Sequence, residues 1–487
     1  MAEKNKQEYT KEQLETLLRT HEAACNNGPT IGKRHIQIVL ASCITLLNYA
    51  IRISMSVIIV AMTDSTANKN KDIPTYNWTD KSLVVSSFLW GYVIPQVAAG
   101  YLATMHGAKW FLAGSLIASS TLGLLVPIAA ATFGSKGLMA IRMLQGLSQG
   151  VMFPSIHVFL SRWVPINERS RLGTLPYVGS PVGTVGSMLL TGLIASSWYG
   201  WPMAVYFFSS LGLCVGLVFA YFGCSEPSIH STITEEEKNY ILNNLSGTES
   251  TVEKEEVAPV PWTEILTSLP FWALLLAQIG WSWSNWTLLL ETPIYMNHVM
   301  KFDLKSNSVL SSLPYIAEAA SAICYSIVAD YLIKNKIFDI GRTRKLMNGI
   351  GLILPSIALV VLANCKSSDA YLAVAMLVLI GLTGSSTRSG YNINQIDLSP
   401  NYAGILMGIC NGTSAGVSAF GPVMIQLLVK DENDPKQWRH IFYIAALISV
   451  LFFIFNAVFG SGSVQPWNNG SKKYREKHSS KAAEAYP

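Results

Sequence analysis

Six ionisable side chains, Arg52, Arg142, His157, Glu291, Glu318 and Arg388, fall inside stretches that are otherwise apolar. An arginine at the centre of a bilayer costs from about 3 to more than 10 kcal/mol, so such groups face protein or water. Arg142 opens the run Arg142-Met-Leu-Gln145-Gly146-Leu-Ser-Gln149-Gly150-Val-Met-Phe153-Pro154-Ser-Ile-His157. At about 100° per residue, Gln145, Gly146, Gln149 and Phe153 lie within roughly 60° of Arg142, which concentrates the polar groups in one stripe. Arg52 follows Asn48 and Tyr49 and sits too deep to snorkel easily. Two buried arginines suit a carboxylate or phosphate, because each planar fork offers paired, charge-assisted hydrogen bonds. The structural alternative is that one of them only pairs with an acid such as Glu291 or Glu318.

The remaining four differ in context. Glu291 stands in Leu-Leu-Leu-Glu291-Thr-Pro293-Ile-Tyr295, where the proline frees backbone carbonyls. A carboxylate there could carry a proton or help hold a cation, making Glu291 the coupling candidate, or it could lie at the outer interface. Glu318 is expected to pair or pack, and His157, beyond Pro154, to be a satisfied structural histidine. Arg388 lies among Gly384, Ser385, Ser386, Thr387 and Ser389, suited to a cavity wall or a tight helix crossing. No nucleophile elbow, zinc-protease pair, phosphate loop or paired-cysteine metal spacing occurs, so an enzyme is not expected, nor a cofactor or metal.

The elements that must position these groups are membrane helices. Of 487 residues 50% are apolar and 13% charged, where a soluble domain averages about 25% charged. The net charge of +5 is spread over short loops and tails, with no nucleic-acid footprint. Seven cysteines, several in apolar runs, do not suggest a disulfide framework. Nothing in the hydrophilic start marks a removable signal peptide, and the first span is expected to act as an uncleaved anchor. Apolar runs long enough to cross a hydrocarbon core of about 30 Å predict an all-α membrane protein of twelve transmembrane helices in two six-helix halves. In the first half they lie near 36–62, 82–104, 110–130, 138–161, 172–196 and 201–222; in the second near 271–296, 309–333, 346–364, 371–395, 402–429 and 440–460. The domains expected are a tail over 1–35, a half over 36–223, a linker over 224–268, a half over 269–460 and a tail over 461–487.

Basic residues such as Lys33, Arg34, Lys109, Arg162, Arg342 and Lys345 cluster in the loops of one side, which predicts cytoplasmic termini and linker. Asn77-Trp-Thr79 then falls in the first outward loop, where glycosylation is plausible. In the linker, Thr234-Glu-Glu-Glu237 has capping-box spacing and predicts a short helix, read as solvated.

Two six-span halves joined by a long loop resemble the major facilitator superfamily, whose sites lie near the bilayer midplane between the halves. Gly100-Tyr-Leu-Ala-Thr-Met-His-Gly107-Ala-Lys109 looks like that superfamily's Gly-rich loop, and Ala329-Asp330-Tyr-Leu-Ile-Lys334 occupies the matching place in the second half. Both suit tight turns with charge packed on helix ends. The run from Arg142 to His157, followed by Trp163-Val-Pro-x-x-Glu168-Arg-Ser170, resembles the fourth-span signature of the anion:cation symporter family. That family includes sodium–phosphate cotransporters, sialin and the vesicular glutamate transporters. The likeness continues in Ser87-Phe-Leu-Trp90-Gly-Tyr92, in Gly390-Tyr-Asn392-Ile-Asn394-Gln-Ile-Asp397 and on to Gly408, and in Gln465-Pro-Trp467. It is strongest to insect members named "Putative inorganic phosphate cotransporter".

The resemblance implies that Arg52 and Arg142 bind the substrate anion, with Tyr92, Asn392 and Asn394 near the central cavity. This chain also departs from the family. Proton-coupled members carry a glutamate where Gln149 stands, and an amide cannot load and release a proton. Gln149 is therefore read as a polar cavity residue without a proton. Val85 and Trp281 replace a histidine and an arginine of the vesicular glutamate transporters, and Phe153 replaces a tyrosine. The expected function is alternating-access symport of a small anion, phosphate leading, with sodium as the leading co-transported cation, in the plasma membrane. The expected partners are that anion and the lipid bilayer, with no nucleic acid and no obligate protein partner. A proton-coupled or facilitative organic-anion carrier is the alternative within transport, and a non-transporting receptor or scaffold the alternative outside it.

Overall fold

The computed structural model describes residues 29, 31–63, 70, 72–78, 81–245, 259–298, 304–418, 428 and 434–470, with the side chains of 81–82, 286–298, 304–312, 367 and 435 outside that set. No strand occurs among the described residues. The helices before the linker are α1 Lys33–Thr63, α2 Lys81–Val93, α3 Gln96–His106, α4 Lys109–Leu124, α5 Val126–Gly150, α6 Met152–Trp163, α7 Arg169–Ala195 and α8 Gly200–Phe222. Then come α9 Glu235–Asn243, α10 Trp262–Thr267, α11 Leu269–His298, α12 Leu304–Lys334, α13 Ile340–Asn364, α14 Ala370–Gly384, α15 Tyr391–Leu398, α16 Ala403–Ser418 and α17 Pro435–Phe459.

Seven described helices are long and apolar enough to cross a membrane, or up to nine when two bent pairs are included. The twelve runs read from the sequence all fall on helices, although the run 402–429 continues past Ser418 outside the described residues. Where two spans were expected over 110–130 and 138–161, the helix is interrupted at Gly134, whose φ of 61° suits a residue without Cβ. Apolar side chains such as Leu193, Leu217 and Leu447 stay exposed on the outer faces, as a lipid-solvated surface requires.

Small residues set the closest crossings. A Cβ on Gly146 would strike the carbonyl oxygen of Phe88, and one on Gly150 that of Tyr92, so this Gly-x-x-x-Gly pair lets α2 lie directly on α5. Helices from opposite sides of the linker meet along α3 with α16 and α7 with α12. At the first of these, a Cβ on Gly100 would strike the carbonyl of Gly404.

Helix α9 forms as its capping signal predicts, with Thr234 Oγ1 accepting from the Glu237 N–H at 3.4 Å. It is not a solvated helix, however. Glu237, Tyr240 and Ile241 are buried, and the Glu237 carboxylate accepts from the backbone N–H groups of Lys33 (2.8 Å) and Arg34 (3.0 Å). A carboxylate on the first N–H groups of α1 satisfies donors no helical carbonyl can reach and complements the helix dipole. Arg34 then joins Glu237 at 3.2 Å and Glu168 at 2.8 Å, which ties the linker to α1 and to the start of α7.

Candidate functional site

Between the two sets of helices lies a cavity of about 110 Å³. Arg52 from α1 and Tyr92 from α2 reach it on one side; Trp281, Glu318, Arg388 and Asn392, from α11, α12 and the α14–α15 region, reach it on the other. Tyr177, Ser180 and Thr184 come from α7, which carries Pro176 and Pro181 within its length.

The Arg52 guanidinium carbon lies 4.7 Å from the Phe88 ring centre, 5.1 Å from that of Tyr92 and 5.5 Å from that of Tyr49. Aromatic faces attract a cation, and these rings hold the Arg52 guanidinium at the cavity wall. Tyr92 also joins the two sides of the cavity. Its hydroxyl oxygen accepts from Asn411 Nδ2 at 3.0 Å, and the same amide donates to Gln96 Oε1 at 2.8 Å.

Arg388 owes its position to a break in the helix. The run Ser385–Arg388 is a 3-10 turn between α14 and α15, and Ser386 Oγ and Thr387 Oγ1 bond back to the carbonyls of Thr383 (2.8 Å) and Gly384 (2.7 Å). Irregular backbone at membrane depth is tolerated where it lines a cavity, which is its place here. Arg388 Nη2 donates to Glu318 Oε1 at 2.9 Å, and its guanidinium carbon sits 4.5 Å from the Trp281 ring centre. The residue expected to form a cavity wall thus brings a charge into the cavity, and Glu318 pairs with it.

Arg142, Gln149 and Asn394 do not line this cavity. Arg142 is buried behind Arg52, on the same Phe88 ring at 4.9 Å, and lines a separate small void with Met55 and Phe208. Its Nη1 donates to Gln145 Oε1 at 3.1 Å and its Nη2 to the Arg52 carbonyl at 3.3 Å, while Nε has no hydrogen-bond partner among the described residues. Gln149 Nε2 donates to Ser119 Oγ at 2.7 Å, against α4. The polar stripe of α5 exists, but the glycines that let α2 lie on it turn Arg142 and Gln149 toward α1 and α4. The geometry brings Arg52, Tyr92 and Asn392 together with Arg388 and Glu318, and makes Arg142 a neighbour of Arg52 through its backbone. Asn394 is buried with Oδ1 unpartnered, whereas Asn392 lines the cavity with Nδ2 unpartnered. The Glu291 side chain lies outside the described residues.

His157 is saturated: Nε2 donates to the Asn392 carbonyl at 2.9 Å and Nδ1 accepts from the Tyr177 hydroxyl at 2.7 Å. It thereby fixes the backbone beneath the cavity and has no ring nitrogen left for substrate.

On the linker side a second charged cluster joins the two helix sets. Asp397, 1% exposed, accepts from Arg169 at 3.0 Å and from Arg344 at 2.7 Å. Arg344 donates further to Ser170 Oγ at 2.7 Å and to the Ser389 carbonyl at 2.9 Å. Asp330 takes the Ser170 and Arg171 N–H groups at 2.9 and 2.7 Å, meeting the free donors at the start of α7. The motif around Ala329 and Asp330 thus places a charge on a helix end, as its spacing predicted, and that helix belongs to the opposite half.

What sequence reasoning missed is partnership. Arg388 and Glu318 are 70 residues apart, and Arg169, Arg344 and Asp397 share no local pattern. Asn411 and Gln278 also reach the cavity without a charge or motif to flag them.

The sequence matches the Major Facilitator Superfamily model over residues 40–422. It is 39% identical over 447 residues to a Drosophila melanogaster protein named "Putative inorganic phosphate cotransporter", covering 86% of this chain and 83% of that one. It is 35% identical to Homo sapiens sialin over 441 residues, covering 86% of this chain and 87% of that one. Identity to Homo sapiens vesicular glutamate transporter 2 is 31% over 456 residues, with 92% and 77% covered. Among solved structures, the E. coli fucose:proton symporter superposes with a TM-score of 0.59 at 13% identity, covering 88% of this chain and 99% of that one. A bacterial homologue of the iron transporter ferroportin, in an outward-facing state, matches at the same TM-score of 0.59 with 12% identity, covering 87% and 98%. At those identities the two structures speak for the fold alone.

Proposed function

The chain belongs to the Major Facilitator Superfamily, in its anion:cation symporter branch, and from that premise we propose that it symports inorganic phosphate with sodium by alternating access. The observation that carries the reading is the pair Arg52 and Arg388, which enter one cavity from opposite sides of the linker. A multivalent anion bound between two guanidinium groups is held by both halves at once, so substrate can favour states in which the halves close on it. The cavity's small volume favours a compact anion. The linker-side cluster around Asp397 joins the two helix sets by ion pairs, which supports a contact that forms in one of the two access states of such a cycle. The positive-inside pattern supports cytoplasmic termini, and a phosphate role supports the plasma membrane.

The second reading is an organic-anion carrier, favoured by the aromatic wall of Tyr49, Phe153, Tyr177 and Trp281. Uptake of labelled phosphate into proteoliposomes, with sialic acid and glutamate as competitors, decides between them. Sodium-driven phosphate accumulation is expected. Uptake driven only by a proton gradient would reverse the cation assignment, preferential uptake of an organic anion would reverse the substrate, and no anion uptake under any gradient would defeat the symport reading.

A further inference from the structure

The Arg388–Glu318 pair stands inside the cavity, in a place a symported anion would occupy. Both side chains are largely withdrawn from water, at 12% and 11% exposure. Their hydrogen bond is a single contact of 2.9 Å from Nη2 to Oε1, unlike the forked arrangement of three groups around Asp397. Arg388 is held by its face, 4.5 Å from the Trp281 ring centre, on a 3-10 turn. Glu318 projects from α12, which packs both against that turn and against α7 of the opposite half.

Resting on the symport reading above, we propose that Glu318 is an exchangeable counter-anion and the coupling carboxylate. An arriving anion displaces Glu318 from Arg388, and the displaced carboxylate then binds the co-transported monovalent cation. Two anions cannot both saturate one guanidinium. A carboxylate left buried without its arginine is strongly unfavourable until a cation neutralises it. Substrate binding therefore raises the affinity of Glu318 for a cation, and by reciprocity the cation raises the affinity of Arg388 for substrate. Coupling arises without a preformed cation cage.

A proton or a sodium ion can serve, since either binds a carboxylate oxygen. The charged and titratable groups facing the pair are Tyr315 on the same helix, Tyr391 on α15, Tyr177 on α7, and Tyr49 and Arg52 on α1. From α11, the described residues lining the cavity are Gln278, Trp281, Ser282 and Asn285, which do not titrate. Glu318 is thus the carboxylate among the described lining residues.

The test uses the full chain, with labelled phosphate as the probe. Equilibrium binding in detergent is measured with and without sodium and at two pH values; accumulation and phosphate–phosphate exchange are measured in proteoliposomes. Glu318→Gln is expected to bind phosphate several-fold tighter, because the internal competitor is gone, and to lose the cation dependence of binding. It should exchange phosphate while gradient-driven accumulation falls by about tenfold or more. Dependence on sodium or on pH in the wild type identifies the cation. Accumulation by Glu318→Gln at the wild-type level, or weaker phosphate binding than wild type, overturns the proposal. Glu318→Asp, which keeps the carboxylate, should regain accumulation; if it behaves like Glu318→Gln the proposal is also overturned. A wild-type protein that moves no anion would instead defeat the symport reading, and that control is read independently of the variants.

Discussion

The linker-side cluster and the central cavity are both made of buried arginines and carboxylates, and they use them oppositely. Around Asp397 each carboxylate oxygen receives an arginine, and Arg344 is further bonded to a hydroxyl and a carbonyl. Charges satisfied on several sides resist separation, which suits a closure between halves. In the cavity Arg52 lies over three aromatic rings and Arg388 over two, with Glu318 attached by a single bond. Rings position both guanidinium groups at the cavity wall through cation–π attraction. The residue types are the same, and on the symport reading proposed above the geometry of their partners separates a lock from a binding site.

Breaking the lock should give the largest effect. Asp397→Asn leaves Arg169 and Arg344 buried without their counter-charge, at a cost of about 3–5 kcal/mol. It should lower the thermal midpoint of purified protein and raise hydrogen exchange in α15; an unchanged midpoint would mean the cluster does not hold the halves. Next comes the cavity itself. Arg52→Lys keeps the charge but loses the planar fork, and should reduce phosphate uptake by about 10–100-fold, the equivalent of roughly 1.5–3 kcal/mol. Its thermal midpoint should stay near wild type if, as proposed, the cavity charge serves binding and not closure.

Tyr92→Phe removes one neutral hydrogen bond between cavity walls, worth about 1 kcal/mol, so uptake at low phosphate should fall by less than tenfold. The smallest effect is expected at the linker. Burial, and then the nearby Lys33 ammonium, hold the His230 imidazole below its ordinary value. A depressed histidine favours the docked linker while neutral, and that contribution is lost as pH falls below the ordinary value of about 6.5. Protection of the α9 amides, relative to their intrinsic exchange at each pH, should therefore fall from pH 7 to pH 5, and His230→Gln should flatten the change.

Much of the molecule was legible along the chain. Hydropathy located the helices because a bilayer demands about 20 apolar residues of any span, whatever its neighbours. The linker helix was legible because capping is local, and the cost of Arg52 and Arg388 within apolar runs marked them before any contact was known. The stripe of Arg142 and Gln149 was also present in the sequence, but which neighbour it faces was not. Gly146 and Gly150 let α2 lie directly on α5, which leaves Arg52 at the cavity and Arg142 behind it.

The sequence by itself determined an all-helical membrane protein with buried arginines and a family signature. Only the tertiary structure decided that Glu318 belongs to Arg388, that Asp397 joins Arg169 to Arg344, and that Glu237 caps α1. Periodicity sets the direction a side chain takes from its own helix axis, whereas a charge is satisfied by whatever group folding brings within about 3 Å, however distant in the chain.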